Sequence, residues 1–195
     1  GTYVVTETAT IPGYNLNTET YTFEVDENGL IDGKAEYELE ITNQPNVVQV
    51  SKTNITGEKE IPGAQLKITS AEDDAVMDEW TSTEEPHFVY GMPAGTYYLT
   101  ETLPPKGYVT SETVMFEVTD SLEVQKVTMQ DEVTKVQISK KDITTKEELP
   151  GASLEIRNED GEAVESWVST EEPHYIEMLP IGTYTLTETA APEYY

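Results

Sequence analysis

Two lysines, three glutamates, an aspartate and an asparagine stand where the surrounding alternation calls for apolar side chains. Lys52 follows Val48 and Val50 on one face of its segment, and Lys140 follows Val136 and Ile138. Glu101 shares the face of Tyr97 and Leu99, while Glu188 and Glu7 take the same place in sister copies. Val127 and Met129 lead to Asp131, and Leu39 and Ile41 lead to Asn43. Asp131 lies nine residues before Lys140, and Asn43 nine before Lys52. Each copy thus directs a lysine, a glutamate and an aspartate or asparagine toward one interior. Buried charge is costly unless it is paired or neutralised. Burial favours the neutral amine of a lysine and the neutral form of a carboxylic acid. A neutral amine is a nucleophile, and a protonated glutamic acid polarises a carbonyl and carries protons. Beside a carboxyl or a carboxamide, such a pair could close a Lys–Asp or Lys–Asn amide, releasing water or ammonia respectively. The same residues could equally form a buried salt-bridged cluster, or reach solvent at strand ends.

The elements that must position these groups are repeated along the chain. GTYVVTET at 1–8 returns as GTYYLTET at 95–102 and as GTYTLTET at 182–189. VQVSK at 48–52 returns as VQISK at 136–140, IPGA at 61–64 as LPGA at 149–152, and STEEPHF at 82–88 as STEEPHY at 169–175. The unit is about 88 residues, the size of a small domain. Residues 47–134 hold every block once. Residues 1–46 carry the back half of a unit and 135–195 the front part, so both ends read as cuts through domains of a longer array.

Apolar residues recur with a period of two in Thr-, Val- and Tyr-rich segments, punctuated by Pro-Gly, Asp-Gly and Asn-Gly turns. No segment carries a helical stripe. Several short strands per unit predict an all-β fold of tandem immunoglobulin-like antiparallel sandwiches, one complete and two partial. The units are joined by only Gln44, Pro45 and Asn46 in one case and Glu132, Val133 and Thr134 in the other, which predicts stiff connections.

Composition removes several classes of function. Eleven basic side chains face 38 acidic ones, a formal charge of -27 that would be repelled by nucleic acid or an anionic membrane surface. With no cysteine there is no disulfide, thiolate nucleophile or Cys-based zinc site. Apolar runs are too short to span a bilayer, and no signal-peptide pattern opens the chain. His87 and His174 sit in identical EEPH contexts of different units, so a turn or packing role is expected rather than metal binding. The Asp26–Gly29 and Asn158–Gly161 stretches lack EF-hand spacing and read as hairpin turns. Trp80 and Trp167 are expected to pack in the core or at turns. No phosphate loop, Ser-His-Asp pattern or GxSxG is present, and no cofactor is implied.

These blocks resemble the CnaB or SpaA-type (collagen-adhesin B-type, prealbumin-like) domains of Gram-positive surface proteins and pilins. The resemblance rests on VQVSK and VQISK, on the IPGA and LPGA turns, and on the E-box YYLTETLPPKGY at 97–108, centred on Glu101. It implies an intramolecular isopeptide bond between Lys52 and Asp131, promoted by Glu101. By the same carry-over, Asn43 and Glu7 belong to a domain whose lysine lies outside the sequence, and Lys140 and Glu188 to one whose last strand does. The third E-box departs from pattern, with Tyr194 where the middle copy has Gly107.

The function expected is a non-enzymatic stalk, fibre or pilus segment of a Gram-positive surface protein, extracellular and associated with the cell wall. Its partners would be neighbouring domains of the array and other copies in a fibre. An adhesin module that grips a host protein or glycan is the alternative, as is a filament subunit completing split domains between chains. The sorting motif LPxTG and a pilin lysine motif are not found in this stretch. A lysine crosslink would staple the fold without oxidation, in keeping with the missing cysteines.

Overall fold

The structure, a computed structural model, describes residues 1–193, so the expectation attached to Tyr194 lies outside the described residues. All regular elements among them are strands, and the alternation in the sequence becomes their inward and outward faces. The chain divides into two compact units, Gly1–Leu103 with Ser111–Gln130, and Pro104–Thr110 with Asp131–Tyr195.

In the first unit, β1 (Thr2–Thr6) pairs antiparallel with β2 (Thr20–Glu24). A sandwich then follows. One of its sheets has the order β5-β4-β7-β8, formed by β4 (Gln65–Ser70), β5 (Val76–Thr81), β7 (Gly95–Leu103) and β8 (Val114–Val118). The other has the order β6-β3-β9, formed by β3 (Val47–Asn54), β6 (His87–Tyr90) and β9 (Gln125–Asp131). Both sheets supply the core. Val48, Val50, Val89, Val127 and Met129 come from one, and Leu66, Ile68, Tyr97, Leu99 and Val118 from the other. The Tyr97 hydroxyl donates to the Pro93 carbonyl at 2.8 Å. Burial, and secondarily the charge of Asp73, holds this phenol above its ordinary pKa.

The second unit repeats part of that plan. β10 (Lys135–Ile138) pairs with β13 (His174–Glu177), and β11 (Ser153–Arg157) lies between β12 (Ala163–Val168) and β14 (Thr185–Ala190). Leu154, Ile156, Ile176 and Leu179 are buried there. Asn158–Gly161 joins β11 to β12 as a hairpin turn, whereas Asp26–Gly29 is a turn with no described strand directly following it; Gly29 and Gly161 both take φ near 78°, a conformation open to glycine at little steric cost. Asp26 Oδ1 accepts from the Asn28 and Leu30 amides, an Asx-type turn that explains this acidic stretch without a metal.

Two expectations require correction. Leu39, Ile41 and Asn43 were expected on a strand equivalent to β9, but residues 36–43 form no ladder. In the sandwich, β9 is held beside β3, and no described strand plays that part here. Lys140 likewise lies just beyond β10, whereas Lys52 lies inside the longer β3, and Val136 is exposed rather than in a core. Among the described residues β10 pairs with β13 alone.

Candidate functional site

β3 and β7 belong to opposite sheets, so their inward side chains meet across the core. Lys52 Nζ lies 2.9 Å from Glu101 Oε1, with the two side chains 2% and 0% exposed. Asp131, also 2% exposed, continues the buried face of β9 after Val127 and Met129. β9 is the hydrogen-bonded neighbour of β3.

The glutamate is set by an irregularity that repeats. β4 and β7 are in register through Leu66↔Glu101, then slip so that Gln65 faces Leu103 and Thr102 is the extra residue. β11 and β14 slip at the same place, with Leu154↔Glu188 followed by Ser153↔Ala190 and Thr189 left over. Thr102 Oγ1 donates to the Gln65 carbonyl and Thr189 Oγ1 to that of Ser153, each at 3.2 Å. Bulges commonly re-aim a side chain beside a functional site. Here the inward alternation of β7 ends on Glu101, and both Thr102 and Leu103 turn outward.

Ser111 is a site residue that the sequence reading missed. Its amide donates to Glu101 Oε2 at 2.8 Å, its hydroxyl donates to the Gln130 carbonyl at 2.6 Å, and it accepts from Lys52 Nζ at 3.0 Å. Asn17 stands ten residues after Glu7 as Ser111 does after Glu101, and its amide donates to Glu7 Oε2 at 2.6 Å. The legible signal was that shared offset to a small polar residue. Glu60 Oε2 accepts from the Lys52 amide at 2.8 Å and anchors the lysine's backbone.

The sister copies hold parts of the same constellation. Lys140 Nζ meets Glu188 Oε2 at 2.9 Å, but these side chains are 27% and 34% exposed. In the first copy Asn43 Nδ2 lies 2.9 and 2.7 Å from the two oxygens of Glu7, and it also reaches Thr10 Oγ1 and the Asn15 carbonyl. Lysine–glutamate and asparagine–glutamate contacts are therefore both realised in this fold.

Burial decides what such a pair means. Two charges taken out of water cost several kcal/mol each, and apolar residues of similar volume are often as stabilising. Stability alone gives little reason to keep Lys52 and Glu101 where they are, whereas amide chemistry needs a dry, preorganised lysine and proton carrier.

The remaining candidates have packing roles. His87 stacks on Trp80 with centroids 4.2 Å apart and meets Asp78 Oδ2 at 2.8 Å; His174 stacks on Trp167 at 4.3 Å and meets Glu165 Oε1 at 2.7 Å. No cluster of three or more His, Cys, Asp or Glu among the described residues could hold a metal ion. No helix among them is long and apolar enough to cross a membrane.

The profile of SpaA, a prealbumin-like fold domain, matches residues 1–41, 46–133 and 134–195. The chain belongs to the SpaA prealbumin-like family. Among solved structures it is similar to the Bacillus anthracis TIE protein, with 27% identity and a TM-score of 0.55. That match covers 98% of this chain and 37% of that protein, so the chain spans little more than a third of this relative's length. A Streptococcal ancillary pilin matches at 19% identity and TM-score 0.47, over 99% of this chain and 67% of its own. The shaft pilin SpaA of Lactobacillus rhamnosus GG matches at 17% identity and TM-score 0.41, over 76% of this chain and 88% of its own. No functionally curated protein matches the chain. SpaA membership accounts for the repeated blocks and the all-β sandwich.

Proposed function

We propose that this SpaA-type chain is a load-bearing segment of an extracellular stalk or pilus on a Gram-positive surface. In this reading 1–46, 47–134 and 135–195 are successive repeats, and each complete repeat staples itself through one side-chain amide. In the middle repeat Glu101 takes one proton from the Lys52 ammonium, and the freed lone pair of Nζ attacks Asp131 Cγ. Glu101 passes that proton, and then a second one from the attacking nitrogen, to the carboxyl oxygen that leaves as water when its bond to Cγ breaks. An ammonium and a carboxylate become an amide and one water, with no net proton released. Glu101 is restored, but the lysine and aspartate are consumed, so the chain turns over once and is not an enzyme. Lys140 with Glu188, and Asn43 with Glu7, hold the equivalent places in the flanking repeats.

The observation that carries this reading is the fully buried Lys52–Glu101 pair, whose lysine lies on β3 beside the strand β9 that ends in buried Asp131. Intact mass tests it. The chain should weigh one water less than its sequence, and Glu101→Ala should restore the full mass. A wild-type mass equal to that of the sequence would remove the crosslink from the proposal.

A further inference from the structure

We propose that the Gly13–Tyr14 turn closing the first E-box is a docking face for the middle repeat, locked by the linker residue Asn46, so that these two repeats are clamped rather than hinged. Inter-domain connections in one chain otherwise move by default. This inference adds to the stalk reading and does not depend on the amide, because none of its residues belongs to the crosslink.

Three backbone hydrogen bonds carry it, and each occurs twice. The Asn15 amide donates to the Gln44 carbonyl at 2.8 Å, and Val109 donates to Glu132 at 2.9 Å. Asn46 donates to the Gly13 carbonyl at 2.7 Å, and Thr134 donates to Gly107 at 2.9 Å. Gly91 donates to the Asn46 carbonyl at 2.9 Å, and Met178 donates to Thr134 at 3.0 Å. In both places the linker residue is threaded between the E-box turn of one repeat and the turn before the GTY strand of the next. The bridges Tyr14↔Pro45 and Tyr108↔Val133 flank the two threads.

Side chains complete the lock. Asn46 is wholly buried although it is a linker residue. Its Nδ2 donates to the Met92 carbonyl at 3.0 Å and to Asp120 Oδ1 at 3.2 Å, while its Oδ1 accepts from Asn15 Nδ2 at 3.1 Å and from the Ser121 amide at 3.3 Å. Thr134 Oγ1 donates to the Leu179 carbonyl at 2.7 Å. Leu179 and Met92 occupy the same position in their copies.

Contact is so close that only glycine fits on the E-box side. A Cβ on Gly13 would lie 2.1 Å from the Gly91 carbonyl oxygen, and one on Gly107 would lie 2.6 Å from that of Met178. Both glycines also take positive φ, 87° and 84°. The opposite side is permissive. A Cβ on Gly91 meets nothing nearer than a Tyr14 ring carbon at 3.9 Å, and Met178 fills that position in the next copy at φ 61°. A non-glycine residue persists at such φ only where its surroundings over-determine it.

Spin labels test the clamp, since the chain has no cysteine and two introduced ones label cleanly. Glu36→Cys and Glu72→Cys place one label in each of the first two repeats of the full chain, both at exposed sites. Pulsed-dipolar measurement should return a narrow distance distribution. Gly13→Ala should broaden it at least about twofold, releasing the motion that is the default for linked domains. Asn46→Ala keeps the glycine and should broaden it too, which covers the case in which Gly13→Ala unfolds the first repeat. Gly29→Ala carries the same positive-φ strain with no atom within 4 Å, and Gly91→Met copies the second junction; both should stay narrow. A broad wild-type distribution, a narrow Asn46→Ala one, or broadening by Gly29→Ala equal to that by Gly13→Ala would overturn the clamp. An unchanged crosslink mass in every variant keeps the outcome separate from that of the amide.

Discussion

By its nine-residue offset from the following lysine, Asn43 is the sequence counterpart of Asp131, and the two residue types differ in what they release when a lysine attacks. An aspartate gives up water and an asparagine ammonia, yet both leave the same amide. Asp131→Asn should therefore yield a crosslinked chain of the same mass as crosslinked wild type, although the two unreacted chains differ. A chain heavier by one ammonia, its carboxamide intact, would show that Glu101 serves the acid alone. The contribution of the proposed Lys52–Asp131 bond to stability would follow from loop closure. Lys52 and Asp131 enclose roughly 80 residues, for which the chain-entropy relation gives about 4.5 kcal/mol. Glu101→Ala should lower unfolding stability by that order, read as a drop in denaturant midpoint with a steeper slope, because the unfolded chain without the crosslink exposes more surface. Breaking the buried ion pair would add to the loss.

At the scale of elements, the sandwich depends on small polar side chains that replace missing backbone partners. Ser82 Oγ accepts from the Ala64 amide at 2.9 Å and donates to the Ile61 carbonyl at 2.7 Å; Ser169 does the same for Ala152 and Leu149. Ser82→Ala leaves both Ala64 and Ile61 without that partner in a buried setting, a loss of about 1–3 kcal/mol. Equilibrium unfolding in the Glu101→Ala background measures it free of the crosslink, and a change within error would mean that water replaces the hydroxyl. Much of this architecture was legible beforehand. Alternation exposed the strands, and Lys52, Glu101 and Asp131 showed themselves by breaking it. The bulge after Glu101 was not legible, because Thr102 is as good a strand residue as Thr100 and a register slip leaves no mark on composition. Ser111 was legible only through its ten-residue offset from Glu101, because the amide that meets Glu101 belongs to any residue but proline and a lone serine in a Thr- and Ser-rich chain is inconspicuous. The lack of a ladder at residues 36–43 and the exposure of Val136 were not legible, because alternation reports a face and not whether a neighbouring strand covers it.

Across the whole molecule, charge repulsion acts on every repeat at once. A formal charge of -27 on 195 residues opposes compaction, since folding brings like charges closer together. Salt relieves that repulsion, with the screening length falling from about 30 Å at 0.01 M to about 8 Å at 0.15 M. The melting temperature should therefore rise by several degrees across this range, opposite to the behaviour of a fold held by surface ion pairs. Unfolding relieves repulsion by letting the chain expand, and a Lys52–Asp131 amide limits that expansion. The Glu101→Ala chain, free to expand, should show the steeper rise with salt. Thermal melts of both chains over a sodium chloride series provide the comparison. A flat or falling wild-type curve would mean that the acids are compensated locally by the few lysines, and equal slopes would mean that the crosslink leaves the unfolded chain's dimensions unchanged.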